Sequence, residues 1–198
     1  MIRMTIDTRQ FPSPDRREPT ITITQLAPDD WQVLRGLKLK SLEQEPIAFE
    51  DVKQARLKYT DRTETEWRDI LSGKMSGGRA GEVFTVFAQD SFTESYVGMV
   101  SAIISENSKT ATVQHMYVDN EGYRGRGIGR QLLRELIDRI TAKGIQKIEL
   151  QVVVTQEAAV GLYTSLGFKE VKRSKNAVQR GDAHYDEYEM ELIIEKVE

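Results

Sequence analysis

The chain has 198 residues, 39% hydrophobic and 30% charged, and a formal net charge of −3. That composition suits one packed domain, and the acidic balance argues against a nucleic-acid partner. There is no cysteine for a disulfide, a thiolate metal site or a cysteine acyl-enzyme, and no apolar run approaches the ~20 residues that cross a membrane.

Residues 1–19 carry Pro12, Pro14 and Pro19 among charged residues. They lack the apolar core of a signal peptide. They read as an N-terminal leader, packed on the body or on a neighbouring subunit, ahead of one domain at 20–198. A cytoplasmic protein, with room for a homodimer, is the simplest expectation.

TITITQL (20–26) alternates like a strand. Pro28, Asp29 and Asp30 open a helix whose buried face is Trp31, Leu34, Leu37 and Leu42, and Pro46 ends it. A second helical region follows. Within it Thr63 and Glu66 have capping-box spacing ahead of Trp67, Ile70 and Leu71. Residues 72–81 read as a loop. EVFTVFAQ (82–89) and SYVGMVSAII (95–104) read as strands, and TATVQHMYV (110–118) as the next.

The stretch that follows organises the chain. A polar turn, DNEG, leads to Gly125, Gly127 and Gly129 at alternate positions, interleaved with Arg124, Arg126 and Arg130. Then Ile128, Leu132, Leu133, Leu136, Ile137 and Ile140 recur at helical spacing. A strand thus feeds a glycine-rich loop, and the loop opens a helix. Such a helix start binds phosphate, because its first amides lack partners and glycine keeps side chains out of the anion's way. A P-loop requires Lys and Ser/Thr where Ile128 and Gly129 stand. The dinucleotide fingerprint requires glycine where Arg130 stands. Neither fits.

Lys143-Gly144 is a helix stop. IQKIELQVVV reads as a buried strand and QEAAVGLYTSL as a short helix ending at Gly167. FKEVKRSKNAVQ and HYDEYEMELII read as the last two strands. In the second of these Tyr188, Met190, Leu192 and Ile194 share one face, alternating with acids. The RGD at 180–182 reads as a turn.

Arg124, Gly127 and Gly129 satisfy [QR]-x-x-G-x-[GA], and Ala159, Leu162, Tyr163, Gly167 and Phe168 form a second motif one helix and one strand later. On these residues the chain resembles the GNAT superfamily of N-acetyltransferases, clearly over about residues 81–195 and more loosely over 20–80. The resemblance implies a single α/β (α+β) domain: a mixed, mostly antiparallel sheet of about seven strands, with splayed central strands, flanked by about four helices. It implies acetyl transfer from acetyl-CoA to a primary amine by direct attack, with no metal. The acceptor would be a small molecule, an aminoglycoside-like compound or a protein or peptide amine. A CoA-binding regulatory module without turnover is the alternative.

The same resemblance assigns roles. Tyr163 would protonate the leaving thiolate. Met116, Tyr117 and Val118 would hold the cofactor through their backbone. Arg124, Gly125, Arg126, Gly127, Ile128, Gly129 and Arg130 would hold its pyrophosphate. Gln156 stands where many relatives have asparagine. Gln151 stands where some have a glutamate base, so the base is left open among His115, Glu82, Glu149 and water. Glu43, Glu45, Glu50 and Asp51 lie where relatives build the acceptor site and would suit a cation.

Overall fold

A computed structural model of the chain describes residues 20–48, 52–75 and 80–194. The leader expected at 1–19, and Glu50 and Asp51, lie outside the described residues.

Seven strands form one sheet in the order β1-β2-β3-β4-β5-β7-β6. They are β1 (Ile21–Thr24), β2 (Glu82–Asp90), β3 (Tyr96–Ile104), β4 (Thr110–Val118), β5 (Lys147–Val153), β6 (Lys169–Arg180) and β7 (Ala183–Ile193). Neighbours run antiparallel except β4 and β5. A parallel pair needs a crossover, and the glycine loop and its helix supply it.

The helices are α1 (Trp31–Gln44), α2 (Val52–Asp61), α3 (Glu64–Leu71), α4 (Ile128–Ala142) and α5 (Glu157–Ser165). The second helical region is therefore two helices, one more than expected. The break comes where Thr63 caps α3: its hydroxyl accepts from the Glu66 amide at 3.3 Å, and the Glu66 carboxylate accepts from the Thr63 amide at 2.8 Å.

A core lies on each face of the sheet. On one, α4 buries Ile128, Leu132, Leu133, Leu136 and Ile140 with Val86, Val100 and Val113 of the sheet. Each such side chain contributes about 1.5–3 kcal/mol by leaving water, so this helix is anchored by its stripe. On the other, Leu34, Leu37 and Trp67 pack with Phe87, Met99 and Tyr117. The end of α4 is a Schellman motif: the Gly144 amide donates to the Thr141 carbonyl at 2.8 Å and the Ile145 amide to the Ile140 carbonyl at 3.3 Å.

Two irregularities open the middle of the sheet. Met99 faces Tyr117 while Ser101 faces Gln114, so β4 carries one extra residue, a bulge at His115–Met116. His115 sits at φ +57° within it. The β4–β5 ladder extends only from Thr110–Lys147 to Thr112–Glu149. Beyond that point the two central strands part.

Candidate active site

The wedge between β4 and β5 is a cavity of about 680 Å³. Its walls come from β4 (Gln114 to Tyr117), the end of β5 (Leu150 to Val153) and α5 (Gln156, Ala159, Tyr163). The far wall includes Ser41 and Glu45 of α1 and its end, Tyr59 of α2, and Val178, Arg180 and Glu187 of the last two strands.

Local chemistry places Tyr163. The helix α5 also ends in a Schellman motif: the Gly167 amide donates to Thr164 at 3.0 Å and the Phe168 amide to Tyr163 at 3.1 Å. Gly167 takes φ +92°, a conformation that favours glycine. In such a motif the residue after the glycine meets the residue five before it. Here the two are Phe168 and Tyr163, with ring centroids 5.9 Å apart. The spacing Tyr-x-x-x-Gly-Phe is thus a device that fixes the tyrosine ring. Burial pushes its phenol up to about 12, so it holds its proton throughout the neutral range.

The glycine loop ends at Gly127, the N-cap of α4 at φ +77°. A Cβ at Gly125 or Gly127 would meet nothing within 4 Å. Space is open there, before the unpartnered first amides of the helix, Ile128 to Arg130. The Ile128 side chain is buried in the core, so that residue offers only its backbone. Gly129 differs. Its Cβ would come 2.9 Å from Met116 Cε and 3.2 Å from Leu162 Cδ2. This glycine lets α4 approach the bulge and α5.

The arginines divide. Arg124 Nε donates to the Val118 carbonyl at 2.9 Å, and its guanidinium pairs with Glu45. Arg130 Nη2 donates to Ser165 Oγ at 2.8 Å and ties α4 to α5. Arg126 is exposed on the loop. Tyr117 donates its hydroxyl to Gln44 Oε1 at 2.9 Å, and Gln44 Nε2 donates to Asp119 at 3.0 Å, fastening α1 to the loop. Lys40 adds an ion pair to Asp119 at 2.5 Å. Burial, then Asp119, push the Tyr117 phenol up. Gln156, the N-cap of α5, lines the cavity.

Of the base candidates, only His115 reaches the cavity. Burial, then the charges of Lys38, Lys58 and Arg62, push its imidazole well below the ordinary value. Glu82 pairs with Lys143 at 2.6 Å, and Glu149 pairs with Lys147 where β4 and β5 are still joined. Neither lines the cavity. Of the acids expected to receive a cation, the two among the described residues are engaged: Glu43 pairs with Arg56 at 3.1 Å and Glu45 with Arg124. Sequence reasoning missed Glu187, which lines the cavity from β7 opposite Val153. Its signal, the acidic alternation of β7, is shared with Glu189 and Glu191, so register alone distinguishes it.

Residues 43–168 match the acetyltransferase (GNAT) family. The chain is 37% identical over 84 residues to the [ribosomal protein bS18]-alanine N-acetyltransferase of Salmonella typhimurium, which covers 42% of this chain and 56% of that protein. It is 31% identical over 139 residues to human N-acetyltransferase 8B, 68% of this chain and 59% of that protein. The matches thus span little more than half the length of these relatives. A GNAT-family acetyltransferase of Streptococcus pneumoniae superposes with TM-score 0.70 at 21% identity, over 88% of this chain and all of that one, a likeness of fold.

Proposed function

The chain belongs to the acetyltransferase (GNAT) family, and we propose that it moves an acetyl group from acetyl-CoA to a primary amine by direct attack. One observation carries this most: the parting of β4 and β5 opens a single cavity onto the β4 bulge and onto buried, still protonated Tyr163. The cofactor's chemistry is an activated acetyl thioester.

The chain's residues fit that group. The open space at Gly125 and Gly127 and the first amides of α4 suit a pyrophosphate. The unladdered edge of β4, from Met116 to Val118, offers backbone groups to an extended arm, as an added strand would, and an amide to a carbonyl oxygen gaining charge. Tyr163 donates its proton to the leaving sulfur. The acceptor enters from the side of α1, α2 and the β6–β7 hairpin. Its ammonium loses a proton to His115, Glu187 or water. The acceptor is a small-molecule or peptide amine.

Acetyl-CoA turnover against a panel of amines and N-terminal peptides tests this. Amine-dependent release of CoA is expected. Tight CoA binding with no turnover on any amine would leave a non-catalytic CoA module instead.

A further inference from the structure

Asp90, the last residue of β2, is a carboxylate only 3% exposed, and the reaction above does not use it. Its Oδ1 accepts from the Phe92 amide at 2.9 Å, inside the β2–β3 turn. Its Oδ2 accepts from the Tyr123 hydroxyl at 2.9 Å, in the glycine loop. One buried acid thus joins two loops that lie 33 residues apart in the chain.

Both ends of the tie are firm. The Asp90 amide donates to the Ser95 carbonyl at 2.9 Å and closes the turn. The Ser91 amide donates to the Thr20 carbonyl at 2.9 Å, and the Ser91 and Thr22 hydroxyls share a hydrogen bond at 3.0 Å, so the turn is fastened to β1. The Tyr123 ring packs on the core that α4 also fills. Asp119 holds the start of the same loop from the other side, through Gln44 and Lys40 of α1. The loop therefore hangs between two buried acids.

Burying a carboxylate is costly unless hydrogen bonds compensate it. The charge of Asp90 also has the wrong sign beside a loop that receives a pyrophosphate. What it supplies is geometry. A loop with glycines at 125, 127 and 129 loses much conformational freedom when it is ordered, and ties that order it beforehand spare the ligand that cost. Tyr123 stands two residues before Gly125, where space is open, and next to Arg124, which donates to the Val118 carbonyl.

We propose that Asp90 is a positioning residue for the cofactor: through Tyr123 it sets the glycine loop, and with it the first amides of α4, where the pyrophosphate meets them. The proposal rests on the acetyl-CoA reading of that loop and deepens it.

Calorimetry with CoA on four variants tests it. Tyr123→Phe keeps the ring and its packing and removes the tie at the loop. Asp90→Ala removes it at the turn. Asp90→Asn keeps an acceptor for the Phe92 amide and a donor for the Tyr123 oxygen. CoA should bind about ten-fold more weakly to Tyr123→Phe and to Asp90→Ala, the scale of one hydrogen bond to a charged group. The double variant Asp90→Ala/Tyr123→Phe should be no weaker than the weaker single, because both cut one link. Asp90→Asn should stay within about three-fold of wild type. In steady state the KM for acetyl-CoA should rise in Tyr123→Phe with kcat nearly retained, whereas a merely destabilised protein would lose kcat at constant KM. Tyr123→Phe within two-fold of wild type overturns the proposal. So does tighter CoA binding by Asp90→Ala and Asp90→Asn, which would mean that Asp90 acts by charge. Should Asp90→Ala fold poorly, Tyr123→Phe and Asp90→Asn still decide. Calorimetry needs no turnover, so CoA binding without acetylation of any amine would count against the enzyme reading and leave these affinities to decide the role of Asp90.

Discussion

The rings of Tyr163 and Phe168 lie 5.9 Å apart at 60°, as the third residue from the end of α5 and the residue just past its terminal glycine. The contact needs the ring of Tyr163 and not its hydroxyl. Tyr163→Phe should therefore fold and bind CoA within a few-fold of wild type. Its chemical step should slow by roughly 10²-fold, the scale of losing a positioned acid, or about 2.7 kcal/mol. Single-turnover acetylation is the measurement, since product release can hide the deficit in steady state. A near-wild-type rate would remove Tyr163 from the mechanism.

Gly127 and Gly129 should fail differently. Gly127→Val places a β-branched side chain in open space at φ +77°, where the phosphate is expected and where L-residues are strained. It should weaken CoA binding severely for a modest loss of stability. Gly129→Val drives its side chain into Met116 and Leu162. Overpacking of that kind costs about 1–3 kcal/mol, so its main effect should be on thermal stability. Calorimetry with CoA and thermal melts on both variants read the contrast.

Arg124 holds the Val118 carbonyl and Glu45. Its removal frees the strand end and the loop rather than simply subtracting charge. The loss of CoA affinity in Arg124→Ala should change little between low and high salt. A loss concentrated at low ionic strength is what screening of a direct phosphate contact would give, and it would return Arg124 to the phosphate site.

Burial, then Arg62 and Lys58, hold the Lys38 amine well below its ordinary 10.5. Its folded value is depressed, so the unfolded chain binds more protons between that value and 10.5. Stability should rise with pH through that window and fall as pH drops toward the folded value. Lys38→Met should remove this slope. At neutral pH it should stabilise the protein by about 1–4 kcal/mol, since a packed apolar group removes the cost of holding the amine out of water. The gain should shrink toward pH 10.5. Denaturant unfolding over a pH series reads both effects, and an unchanged slope would show that Lys38 is not the group responsible.

Periodicity and punctuation alone determined most of the elements. The stripe from Ile128 to Ile140, the Thr63–Glu66 capping box and the glycine stops at 144 and 167 are local, so residues a few positions apart carry them. The glycine loop and the tyrosine motif were legible for the same reason. Three things were decided only in three dimensions. The bulge at His115–Met116 is a mismatch of register between β3 and β4, and no single strand records it. The partners of Arg124, Glu43 and Glu45 depend on which helix end meets which loop. The packing of α1 on α2 buries Lys38 beside the Tyr59 ring, although 21 residues separate the two in the chain. Long-range electrostatics and register arise from packing between elements, and hydrophobic periodicity reports only the face each element turns inward.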